Sequence, residues 1–277
     1  MEIVMVLRRI IFLILPVYIF ISGVLYLFQD NIIFFRQSIS NKRLQEIRES
    51  FPMVEEITLT TADDIKLHGW LVNRKSEGHS PLLIYFGGNA EEVSWMIEHK
   101  NEISEWSILL INYRGYGLSE GKPGEAAMYS DALFLYDEFS KREKIDNDKI
   151  AIMGRSLGTA MSVYLSARRR VAGTVLVSPF GSMEDLAKAN FPVIPVGTLL
   201  KHKLNVRPLA SAAGNPMLTL VAGNDQIIPM KHSERLFKAW NGDKKLVVIE
   251  HSDHNSISRH SDYWHNIRNF LNSLLTQ

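Results

Sequence analysis

A serine between two glycines is the feature of this 277-residue chain that most directly indicates chemistry. Gly154, Ser156 and Gly158 form a Gly-x-Ser-x-Gly pattern, which follows an apolar Ile-Ala-Ile-Met stretch and precedes a segment with helical spacing. A tight strand-to-helix turn would lift Ser156 off a sheet in a strained conformation, and the glycines would leave room for it. The pattern predicts a nucleophilic serine. The alternative is a capping serine in a surface turn.

Two further candidates follow the ends of predicted strands. Asp225 comes shortly after the apolar stretch 217–222, and His254 follows the stretch 246–250. In a parallel sheet the carboxyl ends of the strands share one edge, where ligands bind. A serine, an aspartate and a histidine are therefore predicted to meet there, in the chain order found in α/β-hydrolases.

Each partner of the serine has a predicted role and an alternative. His254 would be the general base that takes the serine proton, with His251 as its rival. Asp225 would orient and stabilise His254, or else would cap the helix predicted at 231–240. A metal site built from His251, Asp253 and His254 is disfavoured, because no further ligands lie nearby in the sequence.

The elements that must position these residues form a regular alternation. The predicted strands are 54–61, 65–72, 82–86, 108–112, 150–153, 174–178, 217–222 and 246–250. The predicted helices are 91–104, 125–140, 157–168, 231–240 and 262–275, and a polar loop covers 74–80. Continuous apolar strands that alternate with helices predict an α/β class protein with a mostly parallel central sheet, covered by helices on both faces.

Composition narrows the classes of function. The formal net charge of +1 provides no reason to expect nucleic acid as a partner. The chain has no cysteine, which excludes disulfides, thiolate chemistry and cysteine-based zinc sites. The predicted chemistry needs no cofactor and no metal. The oligomeric state stays open.

The N-terminus differs from the rest of the chain. Residues Ile10 to Phe28 are uncharged and almost wholly apolar, and nineteen helical residues rise about 28 Å, enough to cross a bilayer. A retained single-pass signal-anchor is favoured over a cleaved signal peptide, for which no small-x-small site is present, and over a buried core helix. Arg8 and Arg9 favour, by a narrow margin, a catalytic domain outside the cytoplasm.

The chain therefore divides into three predicted parts. Residues 1–30 are a membrane anchor, 31–53 a juxtamembrane linker with a short helical pattern, and 54–277 a catalytic domain. Within that domain a cap at about 180–210 interrupts the alternation of strands and helices. Its apolar stretch could roof a pocket for an acyl chain, or could be ordinary packing of a short cap on the core.

Four segments carry a resemblance to a known family. They are Phe86-Gly87-Gly88-Asn89-Ala90, the segment from Asn112 to Gly121, the Gly-Arg-Ser-Leu-Gly turn, and Gly223-Asn224-Asp225-Gln226-Ile227-Ile228-Pro229. Over residues 50 to 275 the chain resembles the α/β-hydrolases, in particular a small membrane-anchored branch with lysophospholipase-like and depalmitoylase-like members. Gly87 departs from that branch's usual histidine, and Asn112 from its usual aspartate.

The resemblance implies a serine hydrolase that cleaves an ester or thioester of an acyl or lipid-like substrate through Ser156, His254 and Asp225. An oxyanion hole would use the backbone N–H of Leu157, by the geometry of the turn, and that of Asn89 or alternatively Ala90. A peptidase or amidase on the same fold, and a non-catalytic binding protein, remain alternatives.

Three side chains near these motifs have less specific expectations. Arg155, beside the serine, would bind an acidic substrate group or form a structural salt bridge. Arg114 and Tyr116 are expected to hold the glycine-rich loop rather than to perform chemistry.

Overall fold

The computed structural model describes the backbone of residues 2–73 and 78–276, so the loop predicted at 74–80 lies partly outside the described residues. The strands are β1 (Val54–Thr60), β2 (Lys66–Val72), β3 (Ser80–Phe86), β4 (Ser107–Ile111), β5 (Ile145–Arg155), β6 (Gly173–Val177), β7 (Met217–Ala222) and β8 (Lys244–Ile249). The α-helices are α1 (Glu2–Ile33), α2 (Asn41–Ser50), α3 (Glu125–Phe139), α4 (Gly158–Ser166), α5 (Met183–Asn190), α6 (Val196–Leu199), α7 (Met230–Ala239) and α8 (Ser261–Leu275).

The strands form one sheet in the order β1-β2-β4-β3-β5-β6-β7-β8. β2 runs antiparallel to both of its neighbours, whereas the six strands from β4 to β8 are mutually parallel. Parallel neighbours require crossover connections, which the helices between the strands supply. The predicted mostly parallel sheet is confirmed.

Alternation along the central strands divides the core into two layers. On β3, Leu82, Ile84 and Phe86 join the cluster that includes residues of α3 and α4. Leu83 and Tyr85 point to the other face and join the cluster that includes residues of α8. Every residue of β3 is buried, as expected for a strand covered on both faces. Helices on both sides of the sheet are therefore confirmed.

The predicted helix at 91–104 is instead a 3₁₀ helix, Val93–Ile103. Glu92 caps its start, because the carboxylate accepts a hydrogen bond from the Ser94 N–H. Buried apolar residues at positions i and i+3, here Val93 and Met96, suit either helix type, so their spacing does not distinguish the two.

The segment predicted as a linker packs against the domain. Phe34 is 1% exposed, and α2 buries Leu44 and Ile47. The Ser40 side chain caps α2 by accepting a hydrogen bond from the Arg43 N–H. The chain between the apolar helix and the first strand is therefore held in place over much of its length.

Helix α1 contains one candidate membrane span among the described residues. Phe12–Ile33 is 22 residues long with a mean hydropathy of 2.0, and most of its residues are exposed. A buried core helix was one of the sequence alternatives, and this exposure argues against it. The length and composition suffice to cross a bilayer.

Candidate active site

The turn around Ser156 joins β5 to α4 at the carboxyl edge of the sheet. Ser156 has a φ of +49°, in the left-handed region that L-residues rarely adopt. Its N–H donates to the Val177 carbonyl at 2.9 Å, which ties the turn to β6. A side chain at Gly154 would overlap α4, and one at Gly158 would overlap the backbone that ends β3. The glycines are required because strand and helix backbones approach so closely.

The structure brings the three sequence-predicted side chains together. The Ser156 Oγ lies 3.0 Å from His254 Nε2, and His254 Nδ1 lies 2.8 Å from the Asp225 Oδ2. All three residues are 7–8% exposed. A neutral histidine with its proton on Nδ1 would donate to Asp225 and accept the serine hydroxyl proton at Nε2. This arrangement can activate a serine hydroxyl as a nucleophile.

Hydrogen bonds to the Asp225 carboxylate favour its charged form. Burial alone would raise the pKa of its carboxyl, but hydrogen bonds from His254 and from the Ile228 N–H outweigh burial and lower that pKa below its usual value. The other carboxylate oxygen, Oδ1, accepts from the N–H groups of Ile227 and Ile228. Asp225 thus stabilises the turn before α7, which begins only at Met230.

The alternative candidates near His254, which are His251 and Asp253, do not contact the serine. His254, rather than His251, makes the hydrogen bond to Ser156. Asp253 turns away to accept from the N–H groups of Asn255 and Ser256 in its own loop. Within the described part of the chain, no group of three or more histidine and acidic side chains is placed to hold a metal ion.

The predicted oxyanion donors face the same cavity as Ser156. Leu157 and Asn89 both line it, and within residues 2–73 and 78–276 neither backbone N–H donates to another residue. The Ala90 N–H, the alternative donor, is occupied by the Asn89 side-chain oxygen at 3.0 Å. That oxygen also accepts from the Tyr116 hydroxyl and the Phe35 N–H, which hold the loop in position.

A buried carboxylate that the sequence did not single out ties this loop to the histidine loop. Glu91 Oε2 accepts from the Gly88 N–H and from Arg155, both at 2.8 Å. Its other oxygen accepts from the Tyr85 hydroxyl at 2.6 Å and from the Trp95 indole at 2.7 Å. Arg155 in turn donates to the His254 carbonyl at 3.0 Å. Of the two expectations for Arg155, the structure has the salt bridge.

Burial and the pairing with Glu91 have opposite effects on the pKa of Arg155. Burial alone would lower the pKa of the Arg155 guanidinium, but the Glu91 carboxylate more than compensates, and the pKa lies above its ordinary value. Glu91 is 8% exposed. One buried ion pair therefore connects the loop after β3, the serine turn and the loop after β8.

The two departures from the branch pattern have local causes. A Cβ at Gly87 would lie 2.9 Å from Val93 and 3.1 Å from the Glu91 carboxylate, so a histidine there would displace the Glu91 network. Asn112 accepts from the Val93 N–H and donates to Glu92 at 2.9 Å. An ionised aspartate at position 112 could not make the second bond.

The glycine-rich loop is held by side chains, as expected. Arg114 forms ion pairs with Asp131 of α3 and with Asp63 of the turn between β1 and β2. Burial raises the pKa of the Asp131 carboxyl, and the hydrogen bonds that Arg114 donates to both carboxylates raise the pKa of its guanidinium above the usual value. The Tyr116 hydroxyl donates to the Asn89 side chain and so joins this loop to the loop that contains Asn89.

A cavity of about 370 Å³ opens over Ser156. Its floor includes Ser156, Leu157 and Asn89, and its roof comes from the cap at 180–210. Lining side chains from the cap include Phe180, Met183, Leu186, Phe191, Ile194 and Leu199. The volume is typical of small-molecule sites. The cap therefore lines the cavity with apolar side chains and also packs on the core, through Leu204 and Val206, and its role in holding an acyl chain stays a prediction. Residues of α1 complete the wall.

Comparisons with known proteins agree with this architecture. The family described as alpha/beta hydrolase fold matches residues 81–200. A Mycobacterium tuberculosis protein, Rv2307c, is 33% identical over 207 residues, which are 74% of this chain and 73% of the relative. The membrane protein YNL320W of Saccharomyces cerevisiae is 30% identical over 226 residues, 78% of this chain and 79% of the relative.

Among solved structures, an acetyl xylan esterase from Paenibacillus sp. R4 superposes with a TM-score of 0.67. The match covers 79% of this chain and 83% of the esterase at 18% identity. At that identity the likeness concerns the fold.

Proposed function

This chain belongs to the α/β-hydrolase superfamily, and we propose that it is a serine hydrolase that cleaves carboxylic ester or thioester bonds of an acyl or lipid-like substrate. The observation that carries the proposal is the continuous hydrogen-bonded series from Asp225 through His254 to the strained Ser156. Nucleophile, base and orienting carboxylate stand in the geometry that acyl transfer needs.

In the first half of the reaction, Ser156 Oγ attacks the carbonyl carbon of the substrate as its proton moves to His254 Nε2. The carbonyl oxygen takes up the negative charge and would accept hydrogen bonds from the N–H groups of Leu157 and Asn89. Each such donor is worth about 3 kcal/mol in the transition state. The intermediate collapses, the bond to the leaving oxygen or sulfur breaks, and His254 returns the proton to that atom. An acyl-serine remains.

In the second half, water takes the place of the departed alcohol or thiol. His254 removes one proton from the water, whose oxygen attacks the acyl carbon through the same oxyanion. Collapse releases a carboxylic acid and returns the proton to Ser156 Oγ. Asp225 stays ionised throughout and stabilises the imidazolium that forms twice in each cycle. The cycle requires neither metal nor cofactor.

The acyl or lipid-like part of the proposal rests on the surroundings of the serine. The cavity is lined mainly by apolar side chains, which favour a hydrocarbon chain over a polar group. The candidate span in α1 and the membrane protein among the relatives support a single-pass attachment to a membrane. We place residues 1–30 as the anchor, 31–53 as the linker and 54–277 as the catalytic domain.

Fluorophosphonate labelling of the full chain tests the proposal. Native protein should be labelled, whereas heat-denatured protein and Ser156→Ala should not. Ser211→Ala, an exposed serine outside the site, is the matched control and should be labelled like the wild type. Hydrolysis of p-nitrophenyl esters should fall roughly 10⁴-fold or more in Ser156→Ala and should be unchanged by EDTA.

Two results would contradict the proposal. Absence of labelling in a folded native protein would indicate a closed or non-catalytic site. Labelling with hydrolysis of p-nitroanilides but not of esters or thioesters would instead identify an amidase.

A further inference from the structure

Helix α1 contributes directly to the cavity over Ser156. Leu25, Gln29 and Ile33 all line it, and their spacing of four residues puts them on one face of the helix. Ser156 and Leu157 line the same cavity. The candidate membrane span covers Phe12–Ile33, so this face belongs to the span itself. One wall of the substrate site is therefore part of the apolar helix.

A buried amide holds α1 against the cap. Gln29 is 7% exposed, and its Nε2 donates to the Leu199 carbonyl at 3.1 Å and to the Tyr26 carbonyl at 2.9 Å. Its Oε1 accepts from the Lys201 N–H at 2.7 Å. Both ends of the side chain are satisfied by backbone groups, which fixes the rotation and depth of the helix on the cap.

The cap accompanies α1 along the candidate span. The Tyr18 hydroxyl donates to the Val193 carbonyl at 2.9 Å, and Tyr18 precedes Gln29 by eleven residues, about 16 Å of helix. At the tip of the cap, Val193 is 75% exposed and Phe191 is 43% exposed. Apolar side chains exposed beside a membrane-crossing helix are suited to hydrocarbon rather than water.

We propose that α1 is both anchor and substrate-binding wall, and that the cavity lined by α1 and the cap takes the long acyl chain of a membrane-resident ester or thioester. This inference rests on the proposed function and names the substrate more closely. Each methylene that enters an apolar cavity is worth about a fourfold gain in kcat/KM. A water-soluble acetate ester would leave most of the cavity empty.

The test compares chain-length profiles of full-length protein in lipid nanodiscs, with p-nitrophenyl esters of two to sixteen carbons. Leu25→Trp would narrow the cavity and should lower the ratio of kcat/KM for dodecanoate to that for butyrate roughly tenfold or more. Leu25→Ala should move the optimum towards longer chains, a shift that misfolding does not produce. Leu27→Trp is the matched control, because Leu27 is 70% exposed and does not line the cavity.

A binding measurement separates this inference from the proposed function. Ser156→Ala protein is titrated with dansyl-labelled undecanoic acid, which requires no hydrolysis. With Leu25→Trp added, affinity should fall roughly tenfold; with Leu27→Trp added, it should stay within about twofold.

Identical chain-length profiles and affinities for the two tryptophan variants would overturn the role of α1, even if Ser156-dependent hydrolysis is present. Conversely, acyl-chain binding that depends on Leu25 without any hydrolysis would retain the pocket and reject the hydrolase.

Discussion

The cavity has two walls that are built in different ways. The catalytic wall consists of Ser156, Leu157 and Asn89, which follow the ends of strands. β5 pairs with β3 and β6 on either side, and the Ser156 N–H donates to the Val177 carbonyl. The outer wall is formed by α1 and the cap, joined by the side chains of Gln29 and Tyr18. Backbone ladders and one buried ion pair hold the catalytic wall, whereas side-chain hydrogen bonds, more exposed ion pairs and apolar packing hold the outer wall.

This difference separates chemistry from selection. In the proposed reaction, bond cleavage would depend on placing Ser156, His254 and two N–H groups within a fraction of an ångström, which hydrogen-bonded neighbouring strands can do. In the proposal, the choice of acyl chain would depend on the shape of the outer wall, which a small shift of α1 would change. Substitutions in the catalytic wall should therefore affect kcat for every substrate, and substitutions in the outer wall should affect the chain-length profile.

The largest effect is expected for Asp225→Asn. An amide in place of the carboxylate would favour the wrong histidine tautomer and would not stabilise the imidazolium, so kcat should fall by up to about 10⁴-fold. The loss should be equal for butyrate and dodecanoate esters. Asp253→Asn, in the same loop as His254 but without a bond to its ring, is the control and should retain activity. A chain-length-dependent loss in Asp225→Asn would contradict the division between the walls.

An intermediate effect is expected for Glu91→Gln. Whichever way the new amide is turned, its NH₂ group would face two donors, either Gly88 N–H and Arg155 or Tyr85 and Trp95. We expect kcat to fall roughly tenfold or more with little change in KM for butyrate. The reason is that the loop containing Asn89 and the loop containing His254 would lose the ion pair that joins them. Unfolding free energy should fall by about 3 kcal/mol.

The control for Glu91→Gln is Asp137→Asn on α3, which breaks a partly exposed ion pair with Arg169. Exposed pairs contribute about 1 kcal/mol or less, so activity should be unaffected and stability nearly so. If both variants lose the same stability and neither changes kcat, Glu91 is a structural residue and has no positioning role.

The smallest effect is expected for Gln29→Leu. The substitution keeps the size of the side chain but leaves the Leu199 carbonyl and the Lys201 N–H without their partner. The butyrate rate should be changed less than the dodecanoate rate, and the ratio of the two should shift by roughly fivefold, from loss of about 1 kcal/mol. Labelling of Ser156 by a small fluorophosphonate reports on the catalytic wall alone, and it should persist in Gln29→Leu. Equal losses for both esters would show that α1 supports the serine rather than the acyl chain.

Much of the catalytic wall was predictable because its signals are local. Gly154 and Gly158 mark the turn within five residues, and Asp225 and His254 each follow an apolar strand. The parallel sheet follows from the alternation of strands and helices, and the common edge follows from the parallel sheet. The sequence left Asn89 and Ala90 open as oxyanion donors, and the bond from the Ala90 N–H to the Asn89 side chain favours the N–H of Asn89.

Other features gave no signal in the sequence. Glu91 is one of 30 acidic residues, and its partner Arg155 is 64 positions away. Gln29 reads as the polar end of an apolar segment, and its partners in the cap, Leu199 and Lys201, lie 170 and 172 positions later. The 3₁₀ form of Val93–Ile103 was missed because the apolar spacing fits both helix types.

The class of fold, the serine turn, the order of the three catalytic candidates and an apolar helix of membrane-spanning length can all be predicted from the sequence alone. Each of these depends on residue types within a short window or on the periodicity of apolar residues. Only the tertiary structure decided that Glu91 joins the loops around the serine and that α1 closes the cavity. These contacts join ordinary residues far apart in the chain, and only packing selects which of many similar side chains meet.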